Sequence, residues 1–256
     1  MKITRKDFLR LSGLGLMARI AFFPASPSRP TLPRPFLPGG APKKRWGMVI
    51  DLQKCRQDAG GCDACVKACN TAHNVPQFAD RAHEVKWIWN QPFETVFPFQ
   101  RTEYVRQTYA GHPILVLCNH CANPPCVRVC PTQATWKRDD GIVMMDWHRC
   151  IGCRYCVAAC PYGSRSFNWQ DPRPAIATVN PDFPTRTKGV VEKCNFCEER
   201  LAKGLAPACV GACQEKALTF GDLEDPDSEA RKLLRARFAV QREPELGTSP
   251  SVYYLV

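Results

Sequence analysis

Hydrophobic and polar positions along this 256-residue chain alternate in short stretches bounded by turns and cysteine-rich loops. Trp46-Gly47-Met48-Val49-Ile50-Asp51 reads as a strand running into a loop. Trp87 and Trp89 alternate along a second strand, with Phe93, Phe97 and Phe99 beyond it. Thr135-Trp136-Lys137 and Ile142-Val143-Met144-Met145-Asp146 flank Asp139-Asp140-Gly141, which predicts two strands joined by a turn. Further on, residues 228–240 predict a helix and residues 252–255 a closing strand. The apolar run from Phe8 to Phe23 is broken by Arg10 and Arg19. No stretch offers the roughly 18 uninterrupted apolar residues of a spanning helix, so no bilayer crossing is expected after that run.

Composition narrows the class. Hydrophobic residues make up 45% and charged residues 23%, which excludes a disordered chain and one embedded in a membrane throughout. The formal charge is +11, but residues 1–45 hold ten Lys/Arg against Asp7 alone, a contribution of +9. Residues 46–256 hold 25 Lys/Arg against 23 acids and contribute only +2. The basic excess therefore sits in the leader and its Pro-rich follow-on. Without the aromatic–basic interleaving of a nucleic-acid groove, no nucleic-acid partner is expected.

That leader opens Thr4-Arg5-Lys6-Asp7-Phe8-Leu9-Arg10, continues through weakly apolar residues to Phe23, and runs on in proline to Pro42. A charged start, a short apolar stretch and a small-residue end describe an export signal. It resembles a twin-arginine leader, with Lys6 in place of the second arginine; the alternative is an uncleaved basic tail or an interfacial anchor. Gly13-Leu14-Gly15-Leu16-Met17-Ala18 fits a dinucleotide-binding pattern but has no preceding strand, and reads as chance.

The cysteines carry the chemistry. There are sixteen, in four quartets: Cys55, Cys62, Cys65, Cys69; Cys118, Cys121, Cys126, Cys130; Cys150, Cys153, Cys156, Cys160; and Cys194, Cys197, Cys209, Cys213. The third is spaced C-x2-C-x2-C-x3-C with Pro161 directly after it, which is the bacterial ferredoxin run, and Cys130-Pro131 repeats its ending. Three thiolates on a tight loop can wrap one iron–sulfur cubane. The fourth has entered a helix and points toward a neighbouring cluster, so such motifs work in pairs. Gly152 suits the loop because no side chain keeps backbone N–H groups from the sulfides.

Other uses of cysteine fit less well. Zinc wants two separated C-x2-C knuckles, which the second and fourth quartets could supply and the third could not. A disulfide scaffold belongs to much smaller domains, and free core cysteines would not cluster in fours. The flanking pattern repeats as well: residues 160–169 and 213–220 echo the cluster loop, short helix and strand after Cys130. The expected fold is α+β, with two interleaved bacterial-ferredoxin-like modules, a β-hairpin insertion and a C-terminal helix/strand extension. Its parts are a leader and linker (1–45), the first module's opening part with the insertion (46–117), the second module (118–170), and the first module's return with the extension (171–256). The expected cofactors are four 4Fe–4S clusters.

Four such quartets, the second C-x2-C-x4-C-x3-C and the fourth with a long internal gap, resemble the four-cluster electron-transfer subunits of polysulfide, dimethyl-sulfoxide and tetrathionate reductases and formate dehydrogenase. The stretches Ala64–Pro76, Glu84–Trp89, Phe183–Cys194 and Glu245–Tyr254 are similar to the DsrO-type periplasmic subunits of the Dsr membrane redox complex of sulfate reducers and sulfur oxidisers. That resemblance implies an electron carrier, not itself an enzyme, in sulfur metabolism. It implies as partners a multi-haem cytochrome c and a polytopic quinone-interacting subunit, which would hold it at the outer face of the cytoplasmic membrane. It also implies the ligand sets Cys55, Cys62, Cys65 with Cys213; Cys194, Cys197, Cys209 with Cys69; Cys118, Cys121, Cys126 with Cys160; and Cys150, Cys153, Cys156 with Cys130. The first quartet departs from the family, because Arg56-Gln57-Asp58-Ala59-Gly60-Gly61 fills a gap usually two residues long. The nearest alternative is the iron–sulfur subunit of a molybdopterin oxidoreductase; a zinc-bound structural module is more remote.

Several residues look functional without being so on this reading. His73 and His120 adjoin full quartets and read as hydrogen-bonded loop residues. Trp87, Trp89, Phe93, Phe97 and Phe99 read as packing, with a docking face as the alternative. Arg149 and Arg154, beside cluster cysteines, read as solvated. No nucleophilic triad, phosphate loop or flavin signature is present, so the chain is expected to move electrons for another subunit's chemistry.

Overall fold

A computed structural model describes residues 44–55, 62–100 and 102–256. The leader with its Arg5-Lys6 pair, the Gly13–Ala18 pattern and the 56–61 loop lie outside the described residues. The architecture is α+β: short helices and two-residue to six-residue strands hang on cysteine-bearing loops.

Strand β1 (Trp46–Asp51) is buried on both faces after its first residue, which places it inside a sheet rather than at an edge. It pairs antiparallel with β8 (Leu218–Asp222) and parallel with β10 (Val252–Leu255), with Met48 opposite both Phe220 and Val252. A short β9 (Ala239–Val240) completes the order β8-β1-β10-β9. Gly47 is required here, since a Cβ would strike the Leu223 side chain and come within 2.8 Å of the Ser251 carbonyl oxygen. β1 leads into the first quartet and β8 follows the fourth, so their pairing draws these two quartets together. Helix α1 (Ala64–Ala72), which carries Cys65 and Cys69, packs on α7 (Ala208–Ala212), which carries Cys209.

The middle of the chain supplies three two-stranded ribbons. β2 (Ile88–Pro92) pairs with β3 (Pro113–Leu117), enclosing α2 (Phe93–Val96) and α3 (Glu103–Tyr109). β4 (Thr135–Lys137) pairs with β5 (Val143–Met145) across the Asp-Gly turn, as the sequence predicts, with Gly141 at φ +86. β6 (Ser166–Phe167), after the third quartet, pairs with β7 (Val191–Glu192), just ahead of the fourth. Between the ribbons lie α4 (Pro125–Arg128), α5 (Tyr155–Ala158) and α6 (Glu198–Leu201), each a single turn that starts within a cysteine loop.

Two local expectations change. The helix expected over 228–240 is α8 (Glu229–Ala236), capped by the Ser228 hydroxyl, which accepts from Arg231 N. It stops because Arg237 turns extended and reaches the Asp51 carboxylate, freeing Ala239 and Val240 to pair with Leu255 and Tyr254. Around Trp87 and Trp89 the expected alternation hides the fact that Ile88 is buried as well, so both faces of that segment are covered. Trp87, Trp89, Phe93 and Phe97 are core, whereas Phe99 is 80% exposed.

Candidate metal centres

All sixteen cysteines are free thiols, and the fold gathers them across quartets rather than within them. Cys55, Cys62, Cys65 and Cys213 form one group: burial first, then the neighbouring sulfurs, push Cys55 up to about 11 and Cys65 to about 12. Cys69 joins Cys194, Cys197 and Cys209, where burial and the other three sulfurs push Cys69 well up. Cys118, Cys121, Cys126 and Cys160 line one small cavity together. Cys130, Cys150, Cys153 and Cys156 line another, with Ile151, Gly152 and Arg154. In each group, three sulfurs come from one quartet and the fourth from another.

Neighbouring groups act on one another by charge in a fixed order. Cys65 of the first group bears on Cys69 and Cys209 of the second. Cys118 of the third bears on Cys194, and Cys126 of the third bears on Cys156 of the fourth. The groups therefore form a line. At its ends Cys62 and Cys153 are exposed, while all four cysteines of the second group are buried.

The local backbone explains why the sulfurs converge. Arg154 at φ 62 and Cys197 at φ 53 adopt left-handed conformations that turn the loops sharply into α5 and α6. Gly152 sits at φ +69, and a Cβ there would run into the Gly189 carbonyl oxygen and within 3.2 Å of Phe167. That glycine is required by the β7 approach as well as by the loop itself. Backbone N–H groups aim at sulfur: Phe196 N donates to Cys194 Sγ at 3.4 Å, Ala208 N to Cys197 Sγ at 3.3 Å, and Ala217 N to Cys213 Sγ at 3.2 Å. At Cys130 burial acts upward, but N–H groups of Thr132, Ala134 and Thr135 and the Thr132 hydroxyl outweigh it and lower the thiol.

Four crowded, buried thiols cannot ionise together unless a cation stands among them, because burial and mutual repulsion both oppose it. A polynuclear iron centre supplies that cation, and N–H groups directed at sulfur suit its thiolate ligands. The residues fit the group.

The two histidines are buried loop residues with hydrogen bonds, as expected. His73 Nδ1 lies 3.0 Å from the Cys69 carbonyl oxygen, Nε2 lies 2.9 Å from Glu199 Oε1, and the ring stacks on Trp87. Burial acts to lower its pKa, but Cys197 and Glu199 prevail and raise it to about 9. Glu199 opens onto a groove of about 520 Å³ between Trp136, Trp147 and Phe183. His120 accepts from Val143 N at 3.0 Å and stacks on Phe196 at 3.7 Å; burial, then the charges of Lys193 and Arg165, hold it well below the usual range. Arg149 and Arg154 are exposed, Arg154 lying over Phe167 and Trp169.

The residues missed in the sequence are the buried cations. Arg165 donates to Cys126 Sγ at 3.0 Å and Thr135 Oγ1 at 2.8 Å. Burial opposes its charge, yet Cys126, Cys156 and Cys118 outweigh burial and raise its pKa. Lys193 is buried beside Cys194 and donates to the Cys194 carbonyl oxygen at 2.6 Å and to that of Val143. Arg165 follows Cys160 by five residues and Lys193 precedes Cys194, a proximity that was the only sequence signal for either.

Sixteen cysteines gathered in fours, in a line, define an iron–sulfur electron carrier rather than a catalytic subunit. A 4Fe–4S dicluster domain family matches residues 114–175 and 180–223. Over 231 residues the sequence is 43% identical to the Hdr-like menaquinol oxidoreductase iron–sulfur subunit 1 of Archaeoglobus fulgidus, covering 83% of each. It is 40% identical over 237 residues to a tetrathionate reductase subunit of Salmonella typhimurium, covering 92% of this protein and 78% of that one. It is also 37% identical over 212 residues to a polysulfide reductase subunit of Wolinella succinogenes, covering 82% and 93%. This protein belongs to the family of 4Fe–4S ferredoxin-like subunits that serve such reductases and menaquinol oxidoreductases. It is an iron–sulfur electron-transfer subunit, with cysteines for four clusters. Among the described residues no helix is long and apolar enough to cross a membrane.

Proposed function

We propose that this chain relays single electrons along four clusters between a quinone-interacting membrane subunit and a multi-haem cytochrome c, in a DsrO-type sulfur-metabolism complex. The observation that carries it is the unbranched line of four cysteine groups with an exposed cysteine at either end. In this reading Cys55, Cys62, Cys65 and Cys213 hold the first cluster, and Cys69, Cys194, Cys197 and Cys209 the second. Cys118, Cys121, Cys126 and Cys160 hold the third, and Cys130, Cys150, Cys153 and Cys156 the fourth. Residues 118–170 then form one ferredoxin-like module nested within another. A bound cluster supplies a one-electron couple. The chain holds the sulfurs at short spacing, keeps water from the inner groups and directs N–H groups at sulfur, which favours the reduced, more negative state.

Similarity to a subunit of a menaquinol oxidoreductase supports the quinone side of this reading. The export leader supports an outward-facing location held by partners, since folded, metallated protein moves by a twin-arginine route. A second reading, the iron–sulfur subunit of a molybdopterin oxidoreductase, is favoured by the similarity to tetrathionate and polysulfide reductase subunits. Purification of the complex from solubilised membranes separates the two. A multi-haem cytochrome together with an integral membrane subunit is the expected result, and a large molybdenum-containing partner would overturn it.

A further inference from the structure

Four Arg and Lys side chains are buried among the described residues, and one of them, Arg242, lies over the Tyr162 ring. Arg186 is matched by a carboxylate, Glu192, at 2.6 Å. Arg165, 5% exposed, and Lys193, 2% exposed, meet no carboxylate among the described residues. Removing a cation from water without a counter-charge is costly, so something else must favour both.

Their surroundings identify it. Arg165 bears on sulfur of two groups, donating to Cys126 Sγ at 3.0 Å and acting by its charge on Cys156, with Thr135 Oγ1 and Met145 Sδ as its neutral partners. It thus stands between the third and fourth groups. Lys193 binds the backbone carbonyls of Cys194, in the second group, and of Val143, which lines the cavity of the third. Cys194 feels the charge of Lys193 and, in the opposite sense, that of Cys118 from the third group. Each cation stands beside one junction of the line; Lys193 also lines the groove that holds Asp146, Asp182, Glu198 and Glu199, but none of these pairs with it among the described residues.

We propose that Arg165 and Lys193 are the fixed counter-charges of the inner electron path, raising the reduction potentials of the centres on either side of their junctions. The proposal rests on the ligand sets given above. A positive charge in a low-dielectric interior acts over several ångströms with little screening, whereas the exposed Arg149 and Arg154 act through solvent and salt. Both residues act through the cysteines and are positioning residues, not members of the ligand sets.

The test is redox titration followed by electron paramagnetic resonance on the full chain, purified anaerobically with its partner subunits. Arg165→Met and Lys193→Met are compared with Arg165→Lys, Lys193→Arg and the surface control Lys232→Gln on α8. Each Met variant should make two cluster signals harder to reduce by at least tenfold in equilibrium constant, or 59 mV for a one-electron couple. The charge-keeping variants and Lys232→Gln should stay within that limit. Unchanged potentials in the Met variants at full iron content would overturn the proposal, as would an equal shift in Lys232→Gln. If a Met variant fails to hold iron, the charge-keeping partner decides: retention supports the counter-charge, and equal loss shows a packing role. Wild-type protein lacking four cubane signals would instead strike at the ligand sets themselves.

Discussion

The Arg186 guanidinium meets the Glu192 carboxylate at 2.6 Å with neither side chain reaching solvent. Around the pair, Trp87 Nε1 donates to Glu192 Oε2 at 2.9 Å and Asn168 Nδ2 to Oε1 at 2.6 Å, while Arg186 donates to the carbonyls of His73 and Asn74. One ion pair thereby ties the end of α1, the β2 approach and the β6–β7 ribbon together behind the second cysteine group. Breaking a buried pair by removing one partner strands the other charge. Arg186→Met should therefore cost about 3–5 kcal/mol, read as a lower urea midpoint by circular dichroism. Arg186→Met combined with Glu192→Leu should recover part of that loss.

Gly152 predicts a local failure. Alanine there adds a left-handed penalty of about 1–2 kcal/mol to a collision with the Gly189 carbonyl. Because that loop presents Cys150, Cys153 and Cys156, Gly152→Ala should lose about four irons per chain while the other three clusters remain. Iron analysis beside the cluster spectra checks this.

The exchange of last cysteines predicts which substitutions share a phenotype. Cys69 lies in the first quartet but sits with Cys194, Cys197 and Cys209. Cys69→Ser should perturb the same paramagnetic signal as Cys209→Ser, and a different one from Cys62→Ser. Matching phenotypes for Cys69→Ser and Cys62→Ser would mean that quartets bind their own clusters.

Export gives a cellular prediction. Replacing Arg5 and Lys6 by glutamine removes the basic pair ahead of Phe8-Leu9. Cell fractionation should find a cluster-loaded precursor trapped in the cytoplasm. Undiminished periplasmic protein in that variant would refute the route.

Much of this was legible in the residues, for definable reasons. Cysteine spacing is a local constraint, so the quartets stand out without a structure. The β4–β5 hairpin is local too, closed by Asp139-Asp140-Gly141. What the sequence concealed is long-range. Ala239 and Val240 read as helix until Arg237 is seen bound to Asp51, 186 positions away. Arg165 and Lys193 carry no spacing signal, because a buried cation looks like any surface one until its neighbours are known. Gly152 was legible as a loop glycine, but the carbonyl of Gly189 that enforces it comes from the β7 approach.

The central claim is that all sixteen cysteines serve four 4Fe–4S clusters. Iron and acid-labile sulfide, measured on anaerobically isolated full-length protein, test it most directly. The expected result is about sixteen of each per chain. Stoichiometric zinc without sulfide would contradict it.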